Sequence, residues 1–346
     1  MSQPIRTAPL AADRQQAWDT YVDAHPAGTF FHRSDWQRAM KDGFGHDCHF
    51  IEARRGDEVT GVLPLVQVKS PLFGHALIST GFCVDGGPLV SDDDSLAALL
   101  DAAEATAGEL GAERIEFRAP APDRDGWVDA GGTYVGFRRE LESDPDANLA
   151  RIRRKQRAMV RKGLGFGLTA VIDPGIDRFY EIYAASVHRL GTPVFGKGYF
   201  RALQETFAGD CDVLTIEHEQ RPVASVLSFY HKGTVLPYYG GSLPEARDLA
   251  ANDVMYHELM RHAVVSRGCT MFDFGRSKKD TGAYNFKRHW GFEPEELTYG
   301  FWMKDGGTPP EINPLNPKYR IFINMWQKMP FWLTKIVGPP IARQLG

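Results

Sequence analysis

The sequence is poor in cysteine and has no long apolar run of the kind a bilayer or an export pathway would need. Its 346 residues include four cysteines, Cys48, Cys83, Cys211 and Cys269, too far apart for a C-x-x-C pair or for metal-ligand spacing. They are expected to be reduced core thiols, and no metal is expected. The longest uncharged run, Ser70 to Val84, contains Pro71, Gly74 and His75 and is too short and broken to span a membrane. The N-terminal stretch lacks the apolar core of a signal peptide and meets Asp13 early, so a cytoplasmic protein is expected. There is no G-x-S-x-G elbow, and the glycine-rich Lys162–Gly167 follows a helical pattern, not a strand, which excludes a Walker or dinucleotide loop. Excess positive charge is also missing: 40 Lys and Arg stand against 44 Asp and Glu, which argues against bulk nucleic-acid binding and leaves a local basic patch open.

What is present is an ordinary folded composition, 43% hydrophobic, with a length that predicts two domains at about 150 residues each. The two halves repeat features in one order. Phe31 and Trp36 head one helical pattern, Phe195 and Phe200 another. Cys48 to Leu65 and Cys211 to Phe229 each read as strand, charged turn, strand, around Gly56-Asp57 and Glu219-Gln220. Ser95 to Gly111 and Asn252 to Gly268 each read as a helix stopped by glycine and followed by a strand; Tyr256, Met260, Ala263 and Val264 form the core-facing stripe of the second. A duplicated α/β domain is inferred, each copy built of helix, β-meander, helix and strand.

Between the copies, Asp144 as N-cap and Pro145 at N1 open a helix expected to run through Lys162. Its stretch RIRRKQRAMVRK, 151–162, carries Arg151, Arg153, Arg154, Lys155, Arg157, Arg161 and Lys162 with no acid. Like charges on one helix repel by several tenths of a kcal/mol per i,i+4 pair, so a phosphate-bearing partner is the expected reading over a merely solvated connector. From Gly306 the tail is Pro-rich and then apolar, aromatic and basic. Trp326, Phe331 and Trp332 beside Lys328 and Lys335 fit either an interfacial helix, interrupted by Pro330, or packing on the folded body. The expected division is 1–142, an N-terminal domain; 143–168, the basic helix; 169–303, a C-terminal domain; and 304–346, the tail.

The second copy has the richer polar equipment. LPYYGGS places Tyr238, Tyr239, Gly240, Gly241 and Ser242 at a strand end before a helix N-terminus, where backbone approach and anion binding are favoured. DFGRSKKDTGAYNFKRHWGFEP sets Arg276, Lys278, Lys279, Lys287 and Arg288 among Tyr284, Phe286 and Trp290, a cluster suited to a phosphorylated or carboxylated substrate.

TFFHRSDW, LPYYGGS and above all GAYNFKRHWGFEP resemble the FemAB-type peptidyltransferases, whose two halves are each acetyltransferase-like (GNAT) domains. RRKQRAMVRKG, GTPVFGKGYF, LAANDVMY and DFGRSKKDTGAYNFKRHWGF are similar to the FemAB-related proteins of exosortase (PEP-CTERM) and exopolysaccharide gene clusters, over roughly residues 20 to 345. The resemblance implies an α/β (α+β) fold of two tandem GNAT-like domains joined by the basic helix. It also implies transfer of an aminoacyl or acyl group to an amine of a cell-envelope or polysaccharide precursor, without metal or bound cofactor, the donor being aminoacyl-tRNA or acyl-CoA. The family motif F-K-x-x-[FW]-G falls on Phe286, Lys287, Trp290 and Gly291, which assigns Lys287 to the tetrahedral oxyanion or a substrate phosphate; the acceptor segment Y-G-G-S falls on Tyr239 to Ser242. Where the family has an Arg ahead of a Tyr for substrate phosphates, this chain has Lys197 and Tyr199 with altered spacing.

Amine attack on an acyl ester builds negative charge on the carbonyl oxygen, where one donor contributes about 3 to 4 kcal/mol. A base must take the amine proton; Asp253, Asp273 and Glu258 are candidates that spacing does not separate, and Asp253 is carried forward. In the pyrophosphate loop R-x-x-G-x-G/A of ordinary acetyltransferases, this chain reads Arg247 to Asn252 with Ala250 and Asn252 at the glycine positions, which disfavours CoA. In the first copy Asp92, Asp93 and Asp94 would repel phosphate, so that half is expected to be a scaffold or a partial acceptor site. A CoA-dependent N-acetyltransferase and a non-catalytic module with peripheral contact at the inner membrane stay open as alternatives.

Overall fold

The computed structural model describes residues 3–71, 74–309 and 317–345. The first half runs β1 (Ile5–Pro9), α1 (Gln15–Ala24), α2 (Trp36–Phe44), β2 (Ile51–Arg55), β3 (Glu58–Leu63), β4 (Leu65–Ser70), β5 (Gly74–Ser79), β6 (Leu89–Val90), α3 (Asp93–Leu110), β7 (Arg114–Phe117) and β8 (Trp127–Gly136). There follow β9 (Arg138–Glu140), α4 (Pro145–Ala150), α5 (Arg154–Gly165), β10 (Thr169–Asp173), α6 (Asp177–Leu190), α7 (Lys197–Thr206), β11 (Cys211–His218), β12 (Arg221–His231) and β13 (Thr234–Ser242). The last are α8 (Ala251–Val265), β14 (Met271–Asp273), β15 (Ser277–Lys278), α9 (Gly282–His289), β16 (Glu295–Met303), α10 (Pro317–Lys328) and α11 (Phe331–Ala342). Two compact units emerge: unit 1 is Met1–Gly132, Leu297–Ile312 and Arg343–Gly346, and unit 2 is Thr133–Glu296 and Asn313–Ala342.

The same order of elements builds both. In unit 1, β1, β2, β3 and β6 pair antiparallel in that order, β4 pairs antiparallel with β5, and β5 lies parallel to β7 across the crossover helix α3. In unit 2, β10 to β13 form a continuous antiparallel meander and β13 lies parallel to β14 across α8. A parallel pair needs such a crossover, and a helix supplies it. Pro64 separates β3 from β4 in unit 1, where unit 2 has the unbroken β12. The hairpin turns fall where the sequence places them: Gly56 has φ +67° in the first, while Glu219 and Gln220 take φ +49° and +64° in the second.

Alternation fixes which face is buried. Leu214 and Ile216 of β11, Ala224 and Val226 of β12 and Val235 of β13 meet Val254, Met255, Leu259, Met260 and Ala263 of α8, with Tyr256 and Val264 half-buried at the edge. In unit 1, Ile51, Ala53 and Leu63 meet Leu99, Leu100 and Ala103 of α3.

Three sequence expectations are corrected. The helix expected from Pro145 through Lys162 is broken: Arg153 is extended at φ −56°, ψ 143°, between α4 and α5. No Gly or Pro stands there; the break turns Ile152, 2% exposed, into the core, a tertiary demand that outweighs local propensity. Residues 143–168 are not a separate connector either. Val160 is buried, and a side chain at Gly163 would lie 2.5 Å from Val254 Cγ2 and 3.0 Å from the Leu249 carbonyl, so α5 packs closely on α8 within unit 2. The boundary expected at residue 142 lies instead between Gly132 and Thr133, because β9 pairs with β14 through Arg138–Asp273 and Arg139–Phe272. The expected tail, 304–346, packs in part: Trp326 is buried and α10 and α11 lie against α6, whereas 310–316 fall outside the described residues.

Candidate active site

The loop that carries the chain from β13 into α8 sets up the site. Ala250, the N-cap of α8, sits in the left-handed region at φ +53° and offers no side-chain acceptor to the first turn. Left-handed backbone at a non-glycine residue costs free energy and marks places where geometry is imposed. Around this helix start, unit 2 holds a cavity of about 520 Å³. Its walls come from the end of β13 (Ser242), the loop (Leu243, Pro244, Ala246, Arg247, Ala250), the first turn of α8 (Asn252, Asp253), α5 (Gln156, Met159), the end of α6 (Arg189) and α9 (Phe286).

Asp253 is the carboxylate of this cavity and is 7% exposed. Gln156 Nε2 donates to its Oδ1, and Trp290 Nε1 donates to the same oxygen at 3.1 Å. Burial raises its pKa above the ordinary carboxylate value, opposed by those two hydrogen bonds. The two other carboxylates considered as bases are engaged elsewhere. Asp273 accepts from Arg138 at 2.7 Å and from the Gly275 amide at 2.7 Å, and Glu258 pairs with Arg261 at 2.7 Å. Of the three carboxylates, Asp253 is the one that lines the cavity.

Positive charge at the cavity comes from Arg189 and Arg247, beside the positive end of the α8 dipole. Arg189 Nη2 donates to the Ser242 carbonyl at 3.0 Å, and Asn252 Nδ2 donates to Ser242 Oγ at 3.3 Å. Gln156, Met159 and Arg189 were not among the candidate residues. Nothing local marks them, because they reach the cavity from helices distant in sequence.

Lys287 departs from its expected role. It is nearly buried, and its Nζ donates to three backbone carbonyls: Phe274 at 2.7 Å, Arg276 at 3.0 Å and Gly275 at 3.2 Å. A lysine has three donors, and all are taken. Phe137 and Phe274 lie below the ammonium at 5.5 and 5.7 Å. Burial drives its pKa down to about 7, with partial support for the charge from Asp273. In this arrangement Lys287 ties down the 274–276 segment, and reaching an oxyanion would require it to release a carbonyl.

Other sequence candidates divide between cavity and core. Phe286 and Ser242 join Asp253 at the cavity. Trp290 is fully buried; it holds Asp253 and packs on Phe286 and Tyr256, so it supports the site from behind instead of meeting substrate. Tyr199 and Tyr239 are buried with their hydroxyls 2.9 Å apart, inside a cluster with Tyr183, Phe195 and Phe200. Tyr238 lies against Tyr239 and Phe229. Gly241 is required by packing, since a Cβ would stand 2.9 Å from the Tyr183 Cα, while Gly240 is exposed. Lys197 pairs with Asp177 at 2.8 Å on the surface, Arg276 covers the Tyr134 ring at 4.8 Å, and Tyr284 packs edge-on against Phe137. On α5, Arg154, Lys155, Arg161 and Lys162 are exposed, as is Arg153 before it; Arg157 donates to the Ala150 carbonyl. Among the described residues no helix is long and apolar enough to cross a membrane.

Residues 147–288 match the family described as an acetyltransferase (GNAT) domain. That span holds every residue named in the cavity wall and the α8 crossover. The chain is 24% identical to a lipid II:glycine glycyltransferase of Staphylococcus saprophyticus, over 80% of this chain and 88% of that protein. Among solved structures it is similar to FemX, with a TM-score of 0.68 at 18% identity over 92% of this chain and 100% of that one. A tandem GNAT protein from the clavulanic acid biosynthesis pathway aligns with a TM-score of 0.55 at 15% identity, over 88% of this chain and 100% of that one. The fold is therefore a mixed α/β fold of GNAT type in tandem, and the chain is an acyl- or aminoacyltransferase with FemAB-like relatives.

Proposed function

We propose that the chain transfers an aminoacyl group from aminoacyl-tRNA to an amine of a cell-envelope or exopolysaccharide precursor, and that the reaction takes place in the unit 2 cavity. The observation that carries this reading is a buried carboxylate, Asp253, set beside two arginines at the open N-terminus of α8. The acceptor amine attacks the ester carbonyl, the new C–N bond forms and the C–O bond to the donor breaks. Asp253 takes the amine proton at the oxygen not engaged by Gln156 and Trp290, and the leaving hydroxyl receives it. A carboxylate whose pKa is raised is a stronger base for that step.

Arg189 and Arg247 hold the anionic part of a substrate in this reading, and the exposed cations of α5 contact tRNA phosphates. Ala250 and Asn252 replace the glycines that would let a pyrophosphate approach the backbone, which favours aminoacyl-tRNA over CoA. The site lies in the cytoplasm in this reading, where both donors are made. The test is binding of charged tRNA and of acetyl-CoA at two salt concentrations, followed by transfer from each donor to an amine acceptor. Salt-sensitive tRNA binding with aminoacyl transfer is expected. Acetyl transfer from CoA alone would move the assignment to an N-acetyltransferase, and no transfer from either donor would refute it.

A further inference from the structure

Helix α11 of unit 2 is inverted with respect to side-chain size. The face of α11 turned to the body is small: Thr334, Gly338 and Ala342, at i, i+4 and i+8, are its buried residues. A Cβ on Gly338 would lie 3.1 Å from Val194, which shows how closely that face packs. The large apolar residues point the other way. Trp332 and Ile336 of α11 and Ile321 and Met325 of α10, each pair at i,i+4, are between 56% and 71% exposed, and Leu190 at the end of α6 is 65% exposed. An outward face of this composition at helical spacing is not needed for the core, which has Trp326 and the small stripe.

Charge and placement identify what covers it. The two helices carry Lys318, Arg320, Lys328 and Lys335 in their sequence and no acidic residue. Lys335 is held by Glu181 at 2.9 Å. A tryptophan and aliphatic residues exposed on two helices whose sequences hold four cations and no acid, with Glu181 of α6 the acid beside Lys335, match the interface of an anionic bilayer, where apolar side chains enter the acyl boundary and cations meet headgroups. The patch also adjoins the cavity. Gln327 Nε2 of α10 donates to the carbonyl of Arg189 at 2.8 Å, His188 bonds the Met329 carbonyl at 3.1 Å, and Arg189 itself lines the cavity, with Leu190 the next residue.

We infer that the α10–α11 pair is a docking surface for an anionic lipid bilayer, which brings the cavity mouth at Arg189 to the membrane surface. This peripheral contact needs no crossing helix. The inference concerns where the site works, and its test does not use the transfer reaction, so failure here leaves the proposed chemistry standing and failure of that chemistry leaves this result standing.

The test is co-sedimentation of the full chain with vesicles of phosphatidylglycerol and phosphatidylcholine, and with pure phosphatidylcholine. The expected result is binding to the anionic vesicles that weakens as salt rises, reduced at least tenfold in the Ile321→Glu/Ile336→Glu double variant. Trp332→Ser should fall between the two. Because these side chains are exposed, thermal unfolding of the variants should match that of the parent; a variant that unfolds early is replaced by Lys328→Glu, which makes the same prediction. No binding by the parent chain, or binding unchanged in the double variant but lost on Arg154→Glu/Arg161→Glu in α5, would overturn the inference. So would a dimer in sedimentation velocity that the same double variant dissociates, because a second copy would then occupy the face.

Discussion

The crossover helices α3 and α8 hold the same place in the two repeated units and end their chains of hydrogen bonds in opposite ways. At α3, Asp92 caps the helix by accepting from the Ser95 amide at 2.8 Å, Asp93 and Asp94 follow in the first turn, and Arg55 pairs with Asp92 at 3.1 Å. The Ser95 hydrogen bonds, with help from Arg55, hold the Asp92 carboxyl below its ordinary value. At α8 the N-cap is Ala250 in the left-handed region, with no side-chain cap; Ala251 and Asn252 follow where α3 has Asp93 and Asp94, Asp253 is the one acid of the first turn, and Arg189 and Arg247 line the cavity at this helix start. One helix satisfies its dipole from within the chain. The other has no side-chain cap and sets Asp253 at the cavity, where the proposed reading places a substrate. The tandem units share a scaffold, and in the proposed reading a few residues at one helix start decide which unit carries the site.

The sharpest way to break this contrast is to remove Asp253, the carboxylate of α8 that lines the cavity. Asp253→Asn keeps an oxygen for Gln156 and Trp290 and should lower kcat/KM for transfer by about 10²- to 10⁴-fold with little change in thermal unfolding. Asp92→Asn should leave kcat/KM unchanged. In the parent chain, the base is active only when ionised, so kcat/KM should fall as pH drops through the raised pKa of Asp253, and this acid limb should vanish in the variant. Equal losses from the Asp92 and Asp253 variants would mean that both units carry chemistry.

Next in size is the charge at the cavity. Arg189→Ala and Arg247→Ala should each reduce kcat/KM about 10- to 100-fold, and the double variant should show a shallower dependence on salt. Arg247 was visible in the sequence through the loop it opens, but Arg189 was not, since it lies near the end of α6, 53 residues before Ser242, and reaches that residue only through packing. The repeat, the hairpins and the crossover helices were legible, because each rests on local periodicity and turn chemistry. Roles within the motif GAYNFKRHWGF were not. Its aromatic residues look alike in sequence, yet Trp290 is core and Phe286 reaches the cavity, and Lys287 spends its donors on the carbonyls of 274–276. Pattern gives a residue its neighbourhood, and which way it faces is set by partners elsewhere in the chain.

A smaller effect tests the loop itself. Ala250→Gly relieves the left-handed backbone, and Asn252→Gly removes the side chain that bonds Ser242. Together they should raise acetyl-CoA affinity several-fold, read by calorimetry, while the same pair of glycines at Asp92 and Asp94 of unit 1 should confer none. CoA binding gained at both helices would show that backbone access, and not the arginines, limits the anion site.

The smallest expected effect compares two helical glycines that the sequence does not distinguish. Gly108 in α3 has open space where a Cβ would go, so Gly108→Ala should stabilise the protein by about 0.5 to 1 kcal/mol through helix propensity and the lost freedom of the unfolded chain. A Cβ on Gly163 in α5 would lie 2.5 Å from Val254 Cγ2 and 3.0 Å from the Leu249 carbonyl, so the same substitution there must push α5 off α8, at a cost of about 1 to 3 kcal/mol from overpacking. The opposite signs, read as shifts in thermal midpoint, follow from geometry alone. The functional readout separates them further. Gln156 and Met159 lie on α5 within two turns of Gly163 and line the cavity, so displacing this helix should also move the donor that holds Asp253 and lower transfer, whereas Gly108→Ala should leave transfer untouched. A Gly163→Ala variant that lost stability and kept full activity would show that α5 is fixed at the cavity by contacts other than its close approach to α8.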